Sequence, residues 1–182
     1  MGPAVALKAC LQGGFSLMVF GWAQIVMDFQ PLAVMLTGLG HLHGFSHTYV
    51  GATLLAVFSA LSGKYLSELG LRVLGHTEFL PISWFVACVS ALIGTYSHVA
   101  LDSIMHGDIE PLAPFTSTNL LLGLISIEAL HWFCVFSGLV GAVVYFGLAR
   151  MQARHSISRK VNGSDGRAHC SRGRASSRPV AP

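Results

Sequence analysis

The chain has few charged residues. Asp, Glu, Lys and Arg together make up 10% of its 182 residues, whereas ordinary soluble domains carry roughly a quarter. Hydrophobic residues make up 53% of the chain and lie in long runs. The scarcity of charge argues against a water-soluble domain and predicts a protein embedded in lipid.

Paired cysteines are also missing. The four cysteines lie far apart in the sequence and form no C-x-x-C pair. They therefore predict no disulfide framework, and they indicate nothing about the redox compartment.

Four apolar runs are long enough to cross a bilayer, which takes about 20 residues. The predicted spans are residues 11–27, 48–66, 82–106 and 119–148. We expect residues 29–47 to form a connector, because the apolar piece at 32–39 is too short to cross the membrane. The sequence thus predicts an all-α protein in which residues 1–149 form a bundle of four transmembrane helices.

The composition changes abruptly at Arg150. Residues 150–182 hold eight basic residues against Asp165 alone, with almost no large apolar side chains. This stretch is predicted to be a disordered, basic cytoplasmic tail that contacts anionic lipids of the inner leaflet. It contains no aromatic residue to stack on bases, so we expect no nucleic-acid partner.

Two of the connectors contain no Lys or Arg. Before residue 149 the basic residues are only Lys8, Lys64 and Arg72. The positive-inside rule therefore places both termini and the 67–81 loop in the cytoplasm, and the 29–47 and 107–118 connectors outside. The predicted location is the cell inner (plasma) membrane, crossed several times.

Ionisable residues collect at the predicted outer face. His98, Asp102 and His106 are spaced at i, i+4 and i+8, which places them on one face of a helix. His43 and His47 form H-x-x-x-H at the start of the second span. Such residues inside a membrane span are functional-site candidates, and imidazole with carboxylate suits zinc or another divalent first-row cation.

The predicted metal ligands are His43, His47, His98 and Asp102. Asp28, expected to end the first span at the outer surface, is predicted as a further ligand or as the catalytic base. Three further residues are predicted to orient the ligands or to bind a second metal: His106, Glu128 and His131.

Structural roles remain open for some of these residues. His131 could hydrogen-bond a neighbouring helix, Asp28 could mark a helix boundary, and Glu128 could pair with a histidine. We expect Asp108 and Glu110 to keep their connector solvated.

Two motifs in the chain resemble those of the YdjM-like family, small inner-membrane proteins described as metal-dependent hydrolases. They are His43-Gly-Phe-Ser-His47-Thr48 and Ser97-His98-Val-Ala-Leu-Asp102-Ser103, followed by Gly107 and Pro111-Leu-Ala-Pro-Phe115. The likeness extends over roughly residues 25–120. It implies that His43, His47, His98 and Asp102 bind a metal. The chain departs from the family at Gly44, where Arg is frequent, and in having Asp28 alone where an acid pair is frequent.

The leading hypothesis is a membrane-embedded, metal-dependent hydrolase that cleaves an ester or phosphoester of a small molecule or lipid. The alternative is a metal-ion transporter or metal-sensing membrane protein. A transporter should carry polar residues to the midplane and beyond, whereas the cytoplasmic halves of the predicted spans lack acids and histidines. A two-iron oxidative enzyme would usually need more histidine pairs. The sequence does not indicate an oligomeric state.

Overall fold

The computed structural model describes the backbone of residues 2–174 and the side chains of residues 2–151. Over this part the chain is entirely α-helical apart from short 3-10 turns and connectors, as predicted. Four of its helices are long and apolar enough to cross a membrane. The α-helices are α1 (Gly2–Leu11), α2 (Leu17–Thr37), α3 (Tyr49–Val73), α4 (Trp84–Met105) and α5 (Ile127–Arg174).

Only the first part of α5, Ile127–Met151, is an apolar span. The prediction of a disordered tail over residues 150–182 falls on the part that follows. There the backbone is helical as far as Arg174, and residues 175–182 lie outside the described residues.

Hydroxyl side chains fix where the first three spans, α2, α3 and α4, begin. Ser16, Thr48 and Ser83 precede α2, α3 and α4, and each side chain accepts a hydrogen bond from a backbone N–H in the first turn. Capping of this kind satisfies donors that have no partner within the helix. Because Thr48 caps α3, its neighbour His47 is held beside the first turn of that helix.

The first span differs from the prediction. Helix α2 begins at Leu17 rather than at residue 11 and continues to Thr37 through much of the predicted connector, so Asp28 lies inside the helix rather than at its end. Pro31 lies inside the helix; prolines are tolerated in membrane helices because neighbouring groups and local adjustments satisfy the backbone atoms that they free. The helix ends where Gly38 adopts a left-handed conformation, with φ of 68°, and donates to the carbonyl of Val34.

Helices α2, α3 and α4 pack against one another through small residues. Such residues let helix backbones approach closely, which drives association in lipid. A Cβ added at Gly94 would lie only 2.9 Å from the Cβ of Ala23. The buried alanines of these helices are Ala23 on α2, Ala52, Ala56 and Ala60 on α3, and Ala87 and Ala91 on α4.

Helix α1 separates α5 from this bundle. On one side, Gly2 and Ala6 of α1 contact the backbone or glycines of α5. On the other side, Ala4 packs in a cluster with Phe15 and Phe20. Helix α5 therefore packs mainly on α1 rather than on α2, α3 or α4.

The basic residues Lys8, Lys64 and Arg72 lie at the end of the bundle opposite to His47 and His98. Lys8 donates to the carbonyl of Phe15 just before α2, Lys64 lies over the ring of Trp84 at the start of α4, and Arg72 is in the last turn of α3. His47 and His98 lie near the other ends of α3 and α4. This separation matches the alternation of charge on which the predicted orientation depends.

Candidate metal centre

Four side chains from two helices and one turn converge at the end of the bundle that carries His47 and His98. We name Asp28, His47, His98 and Asp102 the buried cluster, after its two buried histidines. Nε2 of His98 lies 3.1 Å from Oδ2 of Asp102 and 3.2 Å from Oδ1 of Asp28. Nε2 of His47 lies 3.4 Å from the same Oδ2 of Asp102. Zinc bonds of 2.0–2.1 Å in tetrahedral geometry separate the ligand atoms by about 3.3 Å, so each of these three contacts has the separation expected of two ligands on one cation.

Both histidines are buried, with 1% of His47 and 9% of His98 exposed. Their Nε2 atoms make no hydrogen bond, although carboxylate oxygens are close by. Leaving a buried polar atom without a partner costs about 1–3 kcal/mol. The arrangement fits a cation between the nitrogens and the carboxylates better than it fits a set of ordinary hydrogen bonds.

The tautomer of His98 follows from its neighbour Gln24. The amide nitrogen of Gln24 donates to the carbonyl of Gly94, so the amide oxygen must face His98, where it lies 2.8 Å from Nδ1. A carboxamide oxygen only accepts, hence Nδ1 of His98 carries the proton. A neutral His98 then directs the Nε2 lone pair at two carboxylates, an arrangement that a bound cation makes favourable.

His47 is held in a similar way. Its Nδ1 lies 2.8 Å from the hydroxyl of Ser46, and the backbone N–H of Ser46 donates to the side chain of Gln30 on α2. These contacts fix the ring orientation, with Nε2 directed towards Asp102. The local sequence achieves this because His47 ends a 3-10 turn that is followed at once by the cap residue Thr48.

A second group lies at the edge of the first. We name His43, His106 and Asp108 the rim cluster. Nδ1 of His43 lies 2.8 Å from Oδ2 of Asp108, and the rings of His43 and His106 stack with centroids 4.6 Å apart. The hydrogen bond with His43 lowers the pKa of Asp108 below its usual value. The rings of His43 and His47 are 5.0 Å apart, so the two clusters are adjacent.

The structure brings together all four residues predicted as metal ligands, together with Asp28 and His106. His43 belongs to two groups. One is formed with His47 and Asp102, and the other is the rim cluster. Asp108, expected to be solvated, pairs with His43. Gln24 was not predicted at all, although a lone amide within an apolar run was a usable signal.

Among the described residues, Glu128 and His131 belong to neither cluster. Both are exposed on α5, and His131 bonds only the carbonyl of Ile127 in its own helix. The reason is that α5 packs mainly on α1, which keeps it apart from the helices that carry the site.

A cavity of about 460 Å³ opens beside the rim cluster. His43 and Asp108 form part of its wall, and Phe45, Val50 and Pro114 provide an apolar wall. Phe45 and Val50 are themselves exposed on the outside of the bundle. A molecule in this cavity would contact both the cluster and the apolar surface.

Comparisons of the chain with protein families, with curated proteins and with solved structures found no match.

Proposed function

We propose that the chain is a membrane-embedded hydrolase that uses a divalent cation, preferably zinc, to cleave an ester or phosphoester of a lipid or small molecule. The observation that carries this proposal is the buried pair of Nε2 atoms of His47 and His98. They lack hydrogen bonds and face Asp102 at the spacing of ligand atoms. The resemblance to the YdjM-like family is part of the same proposal.

His47, His98 and Asp102 are the proposed ligands. Three protein ligands leave a position for water, and a zinc ion in such a site lowers the pKa of its water to near 7. The donor set of two imidazoles and a carboxylate also occurs in zinc hydrolases. Gln24 and Ser46 orient the two imidazoles from behind.

Asp28 is the proposed catalytic base. Its side chain is 63% exposed and adjoins His98, so it can accept a proton from the attacking water and exchange it with solvent. In hydrolysis the water oxygen bonds to the acyl carbon or phosphorus, and the ester bond to the leaving oxygen breaks. The proton that Asp28 received then passes to that leaving oxygen.

A lipid-derived substrate is favoured by the surroundings of the site. The adjacent cavity has Phe45 and Val50 in its wall, and both side chains are exposed, so they offer an apolar surface for a lipid chain to contact. The site is proposed to face outwards from the inner (plasma) membrane, with both termini in the cytoplasm, because the described Lys and Arg side chains lie towards the opposite end of the bundle.

Transport of the metal ion receives less support. Below His98, towards the basic end, the core of α4 contains Thr95, Ala91 and Ser90, all fully buried. Within the described side chains, the next buried acid is Glu68, which is engaged by Lys64 and by the backbone N–H of Ile82. Thr95 and Ser90 are uncharged hydroxyl side chains, whereas a path for a cation would need ionisable groups along this segment.

The test is hydrolysis by the detergent-purified chain. Chromogenic phosphodiesters and short-chain esters serve as substrates, in the presence of zinc. We expect the wild type to hydrolyse these substrates, and we expect a chelator to stop the reaction. His98→Ala and Asp102→Asn should abolish hydrolysis. His131→Ala, a histidine outside both clusters, is the matched control and should retain activity. Equal hydrolysis by wild type and His98→Ala would refute the proposal.

A further inference from the structure

The rim cluster has the composition of a metal site of its own. One ligand atom each from His43, His106 and Asp108 lies within 4.8 Å of the other two. Two imidazoles and one carboxylate are the same donor types as in the proposed ligand set of the buried cluster. The rim cluster shares no residue with that set.

Backbone contacts hold His106 and Asp108 in position. His106 is the C-cap of α4, and its N–H donates to the carbonyl of Asp102. After Asp108 the connector is anchored by Ile109, which is 1% exposed, and by the hydrogen bond from the N–H of Tyr49 to the carbonyl of Pro111. The rim cluster is therefore tied directly to both α3 and α4.

Charge at this end of the bundle favours a second cation. Asp28, Asp102, Asp108 and Glu110 are all located there, while the described Lys and Arg side chains lie towards the other end. The two positive charges of one divalent cation balance only the negative charges of Asp28 and Asp102. A simple ion pair between Asp108 and His43 would leave the stacked ring of His106 without a role, whereas a cation uses all three.

We propose that His43, His106 and Asp108 bind a second divalent cation beside the one in the buried cluster. The catalytic meaning of this second site rests on the proposed function, but its occupancy does not. Two cations a few ångströms apart bind the attacking and leaving oxygens of a phosphoryl group. They would take the place of a Lys or Arg, which the described side chains do not supply at this end, so the preferred substrate becomes a phosphoester.

The metal content of the full chain tests the second site directly. The purified protein is stripped with a chelator, dialysed against zinc, and analysed for metal by mass spectrometry. Two zinc ions per chain are expected in the wild type, and one each in Asp108→Asn and His106→Ala. Glu110→Gln, an acid two residues from Asp108, is the matched control and should retain two. Since Asp108 is exposed, its conservative variant should fold, and circular dichroism verifies this.

A single zinc ion in the wild type, unchanged in Asp108→Asn, overturns the second site but leaves the first intact. Two ions in both rim variants also overturn it. Two ions without any hydrolysis would uphold the second site and contradict the proposed function. No bound zinc would refute both.

Substrate preference gives a second measurement. Asp108→Asn should lower the phosphodiesterase kcat/KM by about 100-fold or more, the loss typical of removing one electrostatic group that stabilises the transition state. Hydrolysis of a carboxylic ester should change much less. Equal losses on both substrates would overturn the assignment of phosphoesters.

Discussion

The amide oxygen of Gln24 on α2 lies 2.8 Å from Nδ1 of His98 on α4. This contact joins two helices across the bundle and fixes which nitrogen of His98 faces the carboxylates of Asp28 and Asp102. Outer partners of this kind set the tautomer and the direction of a ligating histidine. The geometry of the site therefore depends on a residue that touches no cation.

Replacing Gln24 tests this dependence. Gln24→Ala should weaken zinc binding by roughly 10- to 100-fold, because Nδ1 of His98 loses its acceptor and the ring is free to turn. Competition with a chelator of known affinity measures the change. Gln24→Glu keeps an oxygen acceptor and should recover most of the affinity. Gln12→Ala, at the opposite end, is the control, and an equal loss there would point to general unfolding instead.

The ligands themselves should carry the largest effects. His98→Ala and Asp102→Ala are each expected to remove at least one zinc ion per chain, since each contributes a ligand atom at a spacing of 3.1–3.4 Å. Elemental analysis of detergent-purified protein measures this. His131→Ala should leave the metal content unchanged. If both ligand variants kept the wild-type content, the buried cluster would not be a metal site.

Close approach of α2 and α4 should limit what Gly94 can become. A valine there would force its Cβ to within 2.9 Å of Ala23 and 3.2 Å of the carbonyl oxygen of Phe20. Overpacking of this kind destabilises by about 1–3 kcal/mol, so thermal unfolding in detergent should occur at a lower temperature. Gly147→Val is the matched control because nothing lies within 4 Å of that position. A wild-type melting temperature for Gly94→Val would show that α2 and α4 are not in close contact there.

Transport can be tested separately from hydrolysis. Liposomes that contain the protein and a zinc-sensitive dye should show no faster zinc entry than protein-free liposomes, because Thr95, Ala91 and Ser90 fill the core below His98. Liposomes with an added zinc ionophore provide the positive control. Entry that depends on the protein and is lost in His98→Ala would favour the transporter instead.

Orientation in the membrane is open to labelling. In a chain whose native cysteines are replaced, Glu110→Cys should react with an impermeant maleimide added from outside the cell. Glu78→Cys, in the loop at the basic end, should react only after the inner side is made accessible. These expectations follow from the positive-inside rule. The reverse pattern would place the site in the cytoplasm.

Much of the architecture could be predicted from the sequence. Long apolar runs with little charge predict membrane helices, because backbone groups in lipid must be bonded within a helix. The spacings His43 to His47 and His98 to Asp102 predicted which residues share a level. Helix ends were less certain. The first span was predicted to end at residue 27, whereas α2 continues to Thr37 and is ended by the helix cap Gly38.

Which helices meet could not be read from the pattern. Residues on all sides of a membrane helix are apolar, since lipid is as apolar as a protein core, and periodicity therefore does not reveal the partner helix. For this reason Glu128 and His131, at a suitable spacing on the fourth span, were expected near the site. They lie apart from it because α1 separates α5 from the bundle.

The sequence by itself determined that this chain carries four apolar spans, that its positive charges are placed at alternate connectors, and that most of its imidazoles and carboxylates occur at the remaining ends. Only the tertiary structure decided that Asp28 lies within a helix beside His98, that Gln24 fixes the His98 tautomer, and that Asp108 pairs with His43. Spacing along a helix fixes the face on which a residue lies. The contact between two faces depends on close packing at small residues such as Ala23 and Gly94, which the order of residues alone does not disclose.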